Sequence, residues 1–293
     1  METNSLKIKK RKLRKLLKNK SAVSQILAAV MMIFMFTAAI GVVWAWLLPT
    51  YQQFQTRNVI NSVTSYMLTV DNGIYDLLEG GEGLARTVNI DSFFGEYLLT
   101  DGKNASLRFS DEGGTYNETY TRNGLGSFSY NLEGRKGVIL QEGDHAYLKG
   151  PAIQNNYFVN SSSSSSYQGL TNLTMLRPAS ETMIIALDYR VGCYYWFDQT
   201  NDVLTITVSV IELEFPGLDL SLRGYNSLTL AYDLYETVYT ASTNVNTDFY
   251  LDGSFSATDF NPSERAISFI KPVTVINYDV NIEVVVTHIS IYV

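Results

Sequence analysis

Residues 26–48 read ILAAVMMIFMFTAAIGVVWAWLL, an apolar run that is interrupted only by Thr37 and Gly41. As a helix these 23 residues would extend about 35 Å, which is enough to cross a hydrocarbon core of roughly 30 Å. The eleven Ile, Leu, Val and Phe of the run favour insertion by roughly 5 kcal/mol together, and no charge opposes them. The apolar core of a signal peptide is shorter, at about 7–15 residues. We therefore predict a transmembrane helix over residues 26–48.

The charges that flank this span predict its orientation. Residues 1–20 carry seven Lys, two Arg and one Glu, a net charge of +8, whereas residues 21–293 carry 13 basic and 28 acidic groups, a net charge of −15. The positive-inside rule then predicts a single-pass protein of the cell membrane, with a cytoplasmic N-terminus and an extracellular C-terminal domain. Trp44 and Trp46 lie at the far end of the span, where an aromatic belt is expected. The acidic body argues against nucleic acid as a partner, because phosphates would be repelled.

The junction between the basic leader and the apolar run reads KSAVSQI over residues 20–26. It resembles the N-terminus of archaeal type IV pilins, in which a leader ending in a basic residue with Gly or Ala precedes a Val-Ser start to the hydrophobic helix. The resemblance implies a class III signal peptide that a prepilin peptidase cuts between Ala22 and Val23, leaving the helix on the mature protein. Ser21 stands where a basic residue is usual. Leu27 stands where bacterial pilins carry Glu, so the archaeal form is the nearer one.

The stretch after Pro49 has the periodicity of an amphipathic helix. Val63, Met67, Val70 and Ile74 recur at steps of three and four, which predicts a helical extension over residues 52–78 with its apolar stripe on one side. Polar residues were expected off this stripe: Asn61, Ser65, Thr69, Asp71 and Asp76. The glycines of residues 79–83 are expected to end the helix.

From Leu84 onward, alternation with a period of two replaces helical periodicity. Apolar residues alternate with polar ones over residues 204–210, 228–234 and 280–286, which predicts half-buried strands. Residue types that favour turns predict turns at Asp101-Gly102, Asn123-Gly124, Glu133-Gly134, residues 198–201, Pro216-Gly217 and Asp252-Gly253. The serine-rich residues 160–167 were interpreted as an exposed loop, with strands resuming after Met175.

These patterns predict an α+β chain with three parts. A basic leader covers residues 1–22, and the N-terminal helix covers residues 23–80, with the span at 26–48 and the amphipathic extension at 52–78. An all-β, sandwich-like extracellular head covers residues 81–293.

Residue patterns for catalysis or metal binding are weak. His145 and His288 are the only histidines, and neither has Cys, Asp or Glu at metal-ligand spacing in the sequence. Asp198, Asn201 and Asp202 carry oxygens suited to calcium, but a solvated hairpin turn is the favoured interpretation. Cys193 is the only cysteine, which excludes an intramolecular disulfide, and we predict that it is a buried core residue. The sequence thus predicts no catalytic, cofactor-binding or metal-ligating residues, no cofactor and no enzyme activity.

Four sequons mark candidate glycosylation sites, which were expected in exposed loops. They lie at Asn104, Asn117, Asn160 and Asn172.

Two functions from different classes are consistent with these patterns. The first is a structural subunit of an archaeal type IV pilus-like surface filament, inserted in membrane lipid before assembly, whose helix then bundles with copies of itself. Its β head would serve adhesion or surface contact, and the resemblance implies a prepilin peptidase and pilus assembly machinery as partners. The alternative is an uncleaved, single-pass anchored protein whose β head is a binding or envelope module, and an extracellular hydrolase ranks third.

Overall fold

The computed structural model describes residues 20–133, 140–141, 143–149, 158–161, 169–179, 182–216, 220–254, 267–269 and 276–293. The chain forms two compact units, Met1–Gln55 and Thr56–Val293. Of the predicted leader, residues 1–19 lie outside the described residues. The backbone of residues 20–22 is helical.

One helix, α1, runs from Lys20–Gly80 and contributes residues to both units. Pro49 lies inside α1, so the loss of one backbone hydrogen bond at the proline does not divide the helix. The helix ends within the predicted glycine-rich stretch. There Gly81, with a φ of 100°, donates its N–H to the Leu77 carbonyl at 2.9 Å. Glycine suits this position because its left-handed backbone lets the chain leave the helix without strain from a Cβ.

Twelve strands follow α1 in the described part of the chain. They are β1 (Ala85–Asp111), β2 (Asn117–Glu133), β3 (His145–Lys149), β4 (Phe158–Ser161), β5 (Thr171–Ala179), β6 (Thr182–Tyr189), β7 (Val191–Asp198), β8 (Val203–Glu214), β9 (Leu220–Val245), β10 (Phe249–Ser254), β11 (Ile267–Phe269) and β12 (Tyr278–Tyr292).

These strands form one mixed sheet in the order β3-β5-β6-β2-β1-β9-β12-β8-β7-β4, and β10 pairs with β1 and β11. The β12–β8 and β4–β7 pairs are parallel, and the other strand pairs of this sheet are antiparallel. The α+β layout, with one long apolar helix and a large, mostly β domain, is therefore confirmed. The finer prediction of a sandwich is not confirmed, because the described strands belong to a single hydrogen-bonded sheet.

The strongest alternating segments lie in the strands that they predicted. Residues 204–210, 228–234 and 280–286 fall within β8, β9 and β12. The turn over residues 198–201 is also confirmed, because β7 ends at Asp198 and β8 begins at Val203. Strands resume at Thr171, four residues before the predicted restart, and most of the serine-rich residues 160–167 lie outside the described residues.

Three predicted turns are wrong because they lie inside strands. Asp101-Gly102 lies within β1, Asn123-Gly124 within β2, and Asp252-Gly253 within β10. The first two face each other where the β1–β2 register shifts, between Asp101 and Ala105. Glycine and asparagine are typical of turns, but here they mark an irregularity in the pairing of two long strands. A bulge favours these residues because its backbone requirements are similar to those of a turn.

The head has two apolar core clusters. The first joins the later turns of α1 to strands β1, β2, β5, β6 and β9, with Val63, Met67, Val70 and Ile74 fully buried. The second lies among β1, β7, β8, β10, β11 and β12 and includes Phe109, Phe249 and Phe269. The amphipathic extension of α1 is therefore part of the core of the head.

A glycine in β2 marks a close approach between β2 and β8, which are not neighbours in the sheet order. A Cβ placed on Gly126 would lie 2.0 Å from the backbone carbonyl oxygen of Leu213 and 2.7 Å from the Phe215 ring. The backbone oxygen cannot move away as the end of a flexible side chain can. Only glycine therefore fits at this contact.

We predict that Gly126→Ala lowers the free energy of unfolding of the head by about 3 kcal/mol or more, because the added methyl group overpacks a backbone contact. The measurement is denaturant unfolding of the full chain in detergent, followed by near-ultraviolet circular dichroism. Gly41→Ala is the matched control, because a Cβ at Gly41 meets nothing within 4 Å. Equal midpoints for the two variants would contradict the close approach.

Candidate functional site

The first half of α1 presents its apolar side chains to its surroundings. Phe34, Val42 and Trp46 are 76%, 70% and 71% exposed, and residues 24–51 are exposed throughout. The best 18-residue window has a mean hydropathy of 2.6. By length and composition α1 is able to cross a membrane, a property that a signal sequence near an N-terminus shares. A continuous apolar surface of this size needs a non-aqueous partner.

Small residues interrupt this surface at six positions, all of them exposed: Ala28, Ala29, Ala38, Ala39, Gly41 and Ala45. Side-chain hydrogen bonds of this segment stay within the helix, since Thr37 donates to the Ile33 carbonyl at 2.8 Å and Thr50 to the Trp46 carbonyl at 3.0 Å. These hydroxyls are thereby satisfied without water, as an apolar environment requires.

The later half of α1 lies against the sheet through Gly73. A Cβ at Gly73 would lie 2.9 Å from Leu230 Cδ1 in β9 and 3.3 Å from Val88 Cγ2 in β1. A glycine inside a helix costs about 1 kcal/mol relative to alanine. Here it lets the helix backbone approach the two strands at the centre of the first core cluster.

A buried carboxylate lies on a different face of α1 from Gly73, because residues two apart in a helix point in nearly opposite directions. Asp71 is 0% exposed, which corrects the expectation that it lies off the buried stripe. Its Oδ1 accepts hydrogen bonds from Thr171 Oγ1 at 2.9 Å and from the Tyr189 hydroxyl at 2.8 Å. Its Oδ2 lies 2.5 Å from Lys149 Nζ. Asp71 is buried because three strands, β3, β5 and β6, supply the donors that its charge requires.

A second shell of polar contacts surrounds this carboxylate. The hydroxyl groups of Tyr75 and Thr171 lie 2.9 Å apart, and Arg190 donates from Nη2 to the Thr171 carbonyl at 3.2 Å. Burial and the nearby charge of Asp71 raise the pKa of Tyr189 well above its usual value, so this phenol stays protonated and remains a donor. Burial also raises the pKa of Tyr75. Burial lowers the pKa of Arg190.

A cleft of about 560 Å³ lies beside this network. It is lined by Asn72, Tyr75, Asp76, Glu79, Lys149 and Gly169. Its lysine is already paired with Asp71, and these lining residues include no Ser, Cys or His that would act as a nucleophile or a general base. Beside this cleft, the contacts of Asp71 with Lys149, Thr171 and Tyr189 join α1 to β3, β5 and β6.

The two histidines lie in different settings. His145 is the first residue of β3. His288 lies in β12, where its Nδ1 is 2.5 Å from Glu214 Oε1 and 3.6 Å from Glu212 Oε2. Its Nε2 is 3.1 Å from Glu236 Oε1. Strand pairing thus brings to His288 the carboxylates that sequence spacing did not reveal.

The other residues considered for chemistry are structural in the described part of the chain. Cys193 is fully buried, as predicted, and burial raises its thiol pKa to about 12. Asp198 accepts hydrogen bonds from the Thr200 amide and the Asn201 side chain in the β7–β8 turn. The oxygens of Asp198 therefore already have partners, and these hydrogen bonds lower the pKa of Asp198.

The predicted processing and glycosylation residues lie in regular structure. The backbone of Ala22 and Val23 is helical. Asn104 lies in β1, Asn117 in β2, Asn160 in β4 and Asn172 in β5, so the four sequons lie in strands and not in loops. Asn104 and Asn117 are exposed, Asn172 is half-buried, and Asn117 accepts a hydrogen bond from Arg108 Nε at 2.9 Å.

Comparisons with known proteins assign no relative to this chain. No protein family, curated protein or solved structure matches it.

We predict that Asp71→Asn lowers the free energy of unfolding by about 1.5–3 kcal/mol, because Thr171 and Tyr189 lose a charged acceptor, whereas Lys149, whose side chain is 39% exposed, is left in contact with water. The control on the same helix is Asp76→Asn. Asp76 forms an ion pair with Arg86, and the side chains of Asp76 and Arg86 are 57% and 47% exposed. Since exposed pairs contribute about 0–1 kcal/mol, Asp76→Asn should cost little. Denaturant unfolding of the full chain in detergent measures both changes.

A double-mutant cycle tests whether Lys149 is the charge partner of Asp71. Lys149→Met combined with Asp71→Asn should cost less than the sum of the two single changes, because no unpaired charge remains. Strict additivity would contradict the pairing.

Proposed function

We propose that this protein is a structural subunit of an archaeal type IV pilus-like surface filament. One observation carries the proposal: a single helix, α1, is apolar and exposed over residues 24–51 and is then buried in the core of a β head from Val59 onward. In a subunit of this kind, the first half of the helix packs against copies of itself, and the second half is held in the core of the head. Prepilin peptidase cleavage and assembly machinery follow from the resemblance of residues 20–26 to archaeal pilins.

The physical basis for assembly lies in the surface of the first half of α1. Lipid tails cover its large side chains before assembly, and copies of the same helix would cover them in the filament. Because lipid is as apolar as these side chains, helix association depends on close packing and on small residues that let backbones approach. The exposed alanines at 28, 29, 38 and 39 meet that requirement.

Orientation and display follow from charge and from the head. The +8 leader favours a cytoplasmic N-terminus and an extracellular head. The contact of Gly126 with Leu213 and the two core clusters support a sandwich-like packing of the sheet on itself. The head also has exposed aromatic side chains of a kind suited to adhesion or surface contact, such as Trp196, 47% exposed, and Tyr235, 48% exposed.

The same helix also supports the second candidate, an uncleaved anchored protein with a β head as a binding or envelope module. Trp44 and Trp46, at the end of the apolar run, are 60% and 71% exposed, as expected for side chains at a membrane interface. Ser21, in place of a basic residue, also favours this alternative. Both functions are non-enzymatic, and they differ in processing and in self-association.

Processing is the first test. We predict a mature N-terminus at Val23, which mass spectrometry of protein from the native membrane fraction would detect. Ala22→Leu should retain the leader, whereas the same change at Ala28, inside the apolar run, should leave cleavage unchanged. Recovery of the unmodified protein with Met1 or Glu2 at its N-terminus would overturn the pilin proposal and favour the anchor.

Self-association is the second test. Changing Ala38 and Ala39 to Leu keeps the span apolar, so insertion and head folding should persist, but it removes space that close helix packing requires. Filaments sheared from cells should be lost or greatly reduced. Val42→Leu with Val43→Leu is the matched control, because it enlarges neighbouring side chains that are already large. Filaments unchanged by the alanine substitutions would exclude this face from the core, and no filaments from the unmodified chain would favour the anchor.

A further inference from the structure

Four ionisable side chains that the proposed function does not use meet on three adjacent strands. Glu212 and Glu214 lie two residues apart in β8, His288 lies in β12, and Glu236 lies in β9. Strand β12 lies between β8 and β9, and its register places His288 directly opposite Glu212. Glu212 and His288 are 6% exposed, whereas the side chains of Glu214 and Glu236 are 43% and 40% exposed. The cluster is thus open to solvent on one side only.

The two ring nitrogens of His288 have different partners. Nε2 lies 3.1 Å from Glu236 Oε1, a distance at which an N–H donates to a carboxylate. Nδ1 faces two carboxylates, Glu214 at 2.5 Å and Glu212 at 3.6 Å. Histidine ligands of metals commonly donate their second N–H to a carboxylate, which orients the ring and raises its basicity. In the tautomer that carries the proton on Nε2, Glu236 fills that role and Nδ1 carries the lone pair.

A lone pair on Nδ1 cannot face two carboxylate oxygens without a positive species between them. A proton on Nδ1 would join it to Glu214 alone, whereas a metal ion would also be ligated by Glu212, whose Oε2 already accepts two N–H groups from Arg122. Ligand atoms of Glu212, Glu214 and His288 lie within 4.8 Å of one another. Neighbouring ligands of a tetrahedral zinc ion are about 3.4 Å apart, given metal–ligand bonds of about 2.1 Å. Glu214 Oε1, at 2.5 Å from Nδ1, lies closer than a second zinc ligand would, so the Glu214 side chain, which is 43% exposed, would have to turn outward on binding.

The local charge also favours a cation. Arg122 in β2 donates to Glu212 Oε2 from Nε at 2.9 Å and Nη2 at 2.8 Å, and its Nη2 is 4.0 Å from Glu236. With a neutral imidazole, the three carboxylates and the one guanidinium leave a net charge of −2. A divalent cation would balance this charge, and Arg122 would hold Glu212 in place as an outer partner.

We propose that Glu212, Glu214 and His288 bind a divalent transition-metal ion of the zinc type, with Glu236 and Arg122 as outer partners. The mixed nitrogen and oxygen ligands select this class over Mg²⁺ and Ca²⁺, which prefer oxygen ligands alone. Three protein ligands leave one position for solvent on the exposed side. The ion would join β8 and β12, and through Glu236 also β9, in a chain whose single cysteine excludes an intramolecular disulfide.

The test is calorimetric titration of Zn²⁺ into the full chain, prepared without a polyhistidine tag and stripped with a chelator. We expect one equivalent per chain. His288→Ala should abolish binding, Glu214→Gln should weaken it at least about 10-fold, and Glu236→Gln should weaken it about 10–100-fold. His145→Ala is the matched control, because it removes the other histidine of the chain, and its affinity should equal that of the unmodified protein. Competition by Mg²⁺ and Ca²⁺ at millimolar concentration should be negligible.

Several outcomes would overturn the site. The first is that the unmodified chain does not bind Zn²⁺, which would mean that a proton alone occupies the position on Nδ1. The second is that His288→Ala binds Zn²⁺ as tightly as the unmodified chain. The third is that Ca²⁺ displaces Zn²⁺ at equal concentration. Because His288 is buried, circular dichroism must first show that His288→Ala is folded. If that variant does not fold, the half-exposed Glu214→Gln decides, and its unchanged affinity would overturn the site.

Discussion

Water must be kept from the apolar side chains of residues 24–48, because leaving a large one exposed forgoes about 1.5–3 kcal/mol. None of these side chains is covered by the described part of the chain. By length and composition α1 is able to cross a membrane, and under the proposed function lipid or other copies of the helix supply the cover. The remaining structure answers a second need, since a helix that is buried in lipid or in a bundle must still present a folded head. The second half of α1 meets this need because it continues into the first core cluster of the head.

An apolar stripe alone does not fix the register of α1 against the sheet, because it tolerates small rotations of the helix and slips along its axis. Asp71 removes that tolerance. Its oxygens meet donors from three separate strands, Lys149 in β3, Thr171 in β5 and Tyr189 in β6. Any other register would leave a buried carboxylate without partners, at a cost of several kcal/mol. Gly73, two residues on, permits the close approach that this register needs.

The parts of the structure that were predictable from sequence depend on neighbouring residues. Composition revealed the apolar helix, and alternation revealed β8, β9 and β12. The buried site of Asp71 was not predictable, because its partners lie 78 to 118 residues away. His288 was missed for the same reason, since Glu214 and Glu236 are 74 and 52 residues distant. The turn predictions at Asp101-Gly102 and Asn123-Gly124 were wrong for a different reason, because a turn and a bulge favour the same residue types.

The position of β12 has a consequence for biogenesis. Strand β12 is inserted between β9, with which it is antiparallel, and β8, with which it is parallel. Neither neighbour has its full set of ladder partners until residues 278–292 arrive, although the apolar helix is synthesised more than 200 residues earlier. Long-range pairing of this kind is slow to form and leaves strand edges open meanwhile. Until β12 pairs, the incomplete head would therefore be the species most prone to aggregation.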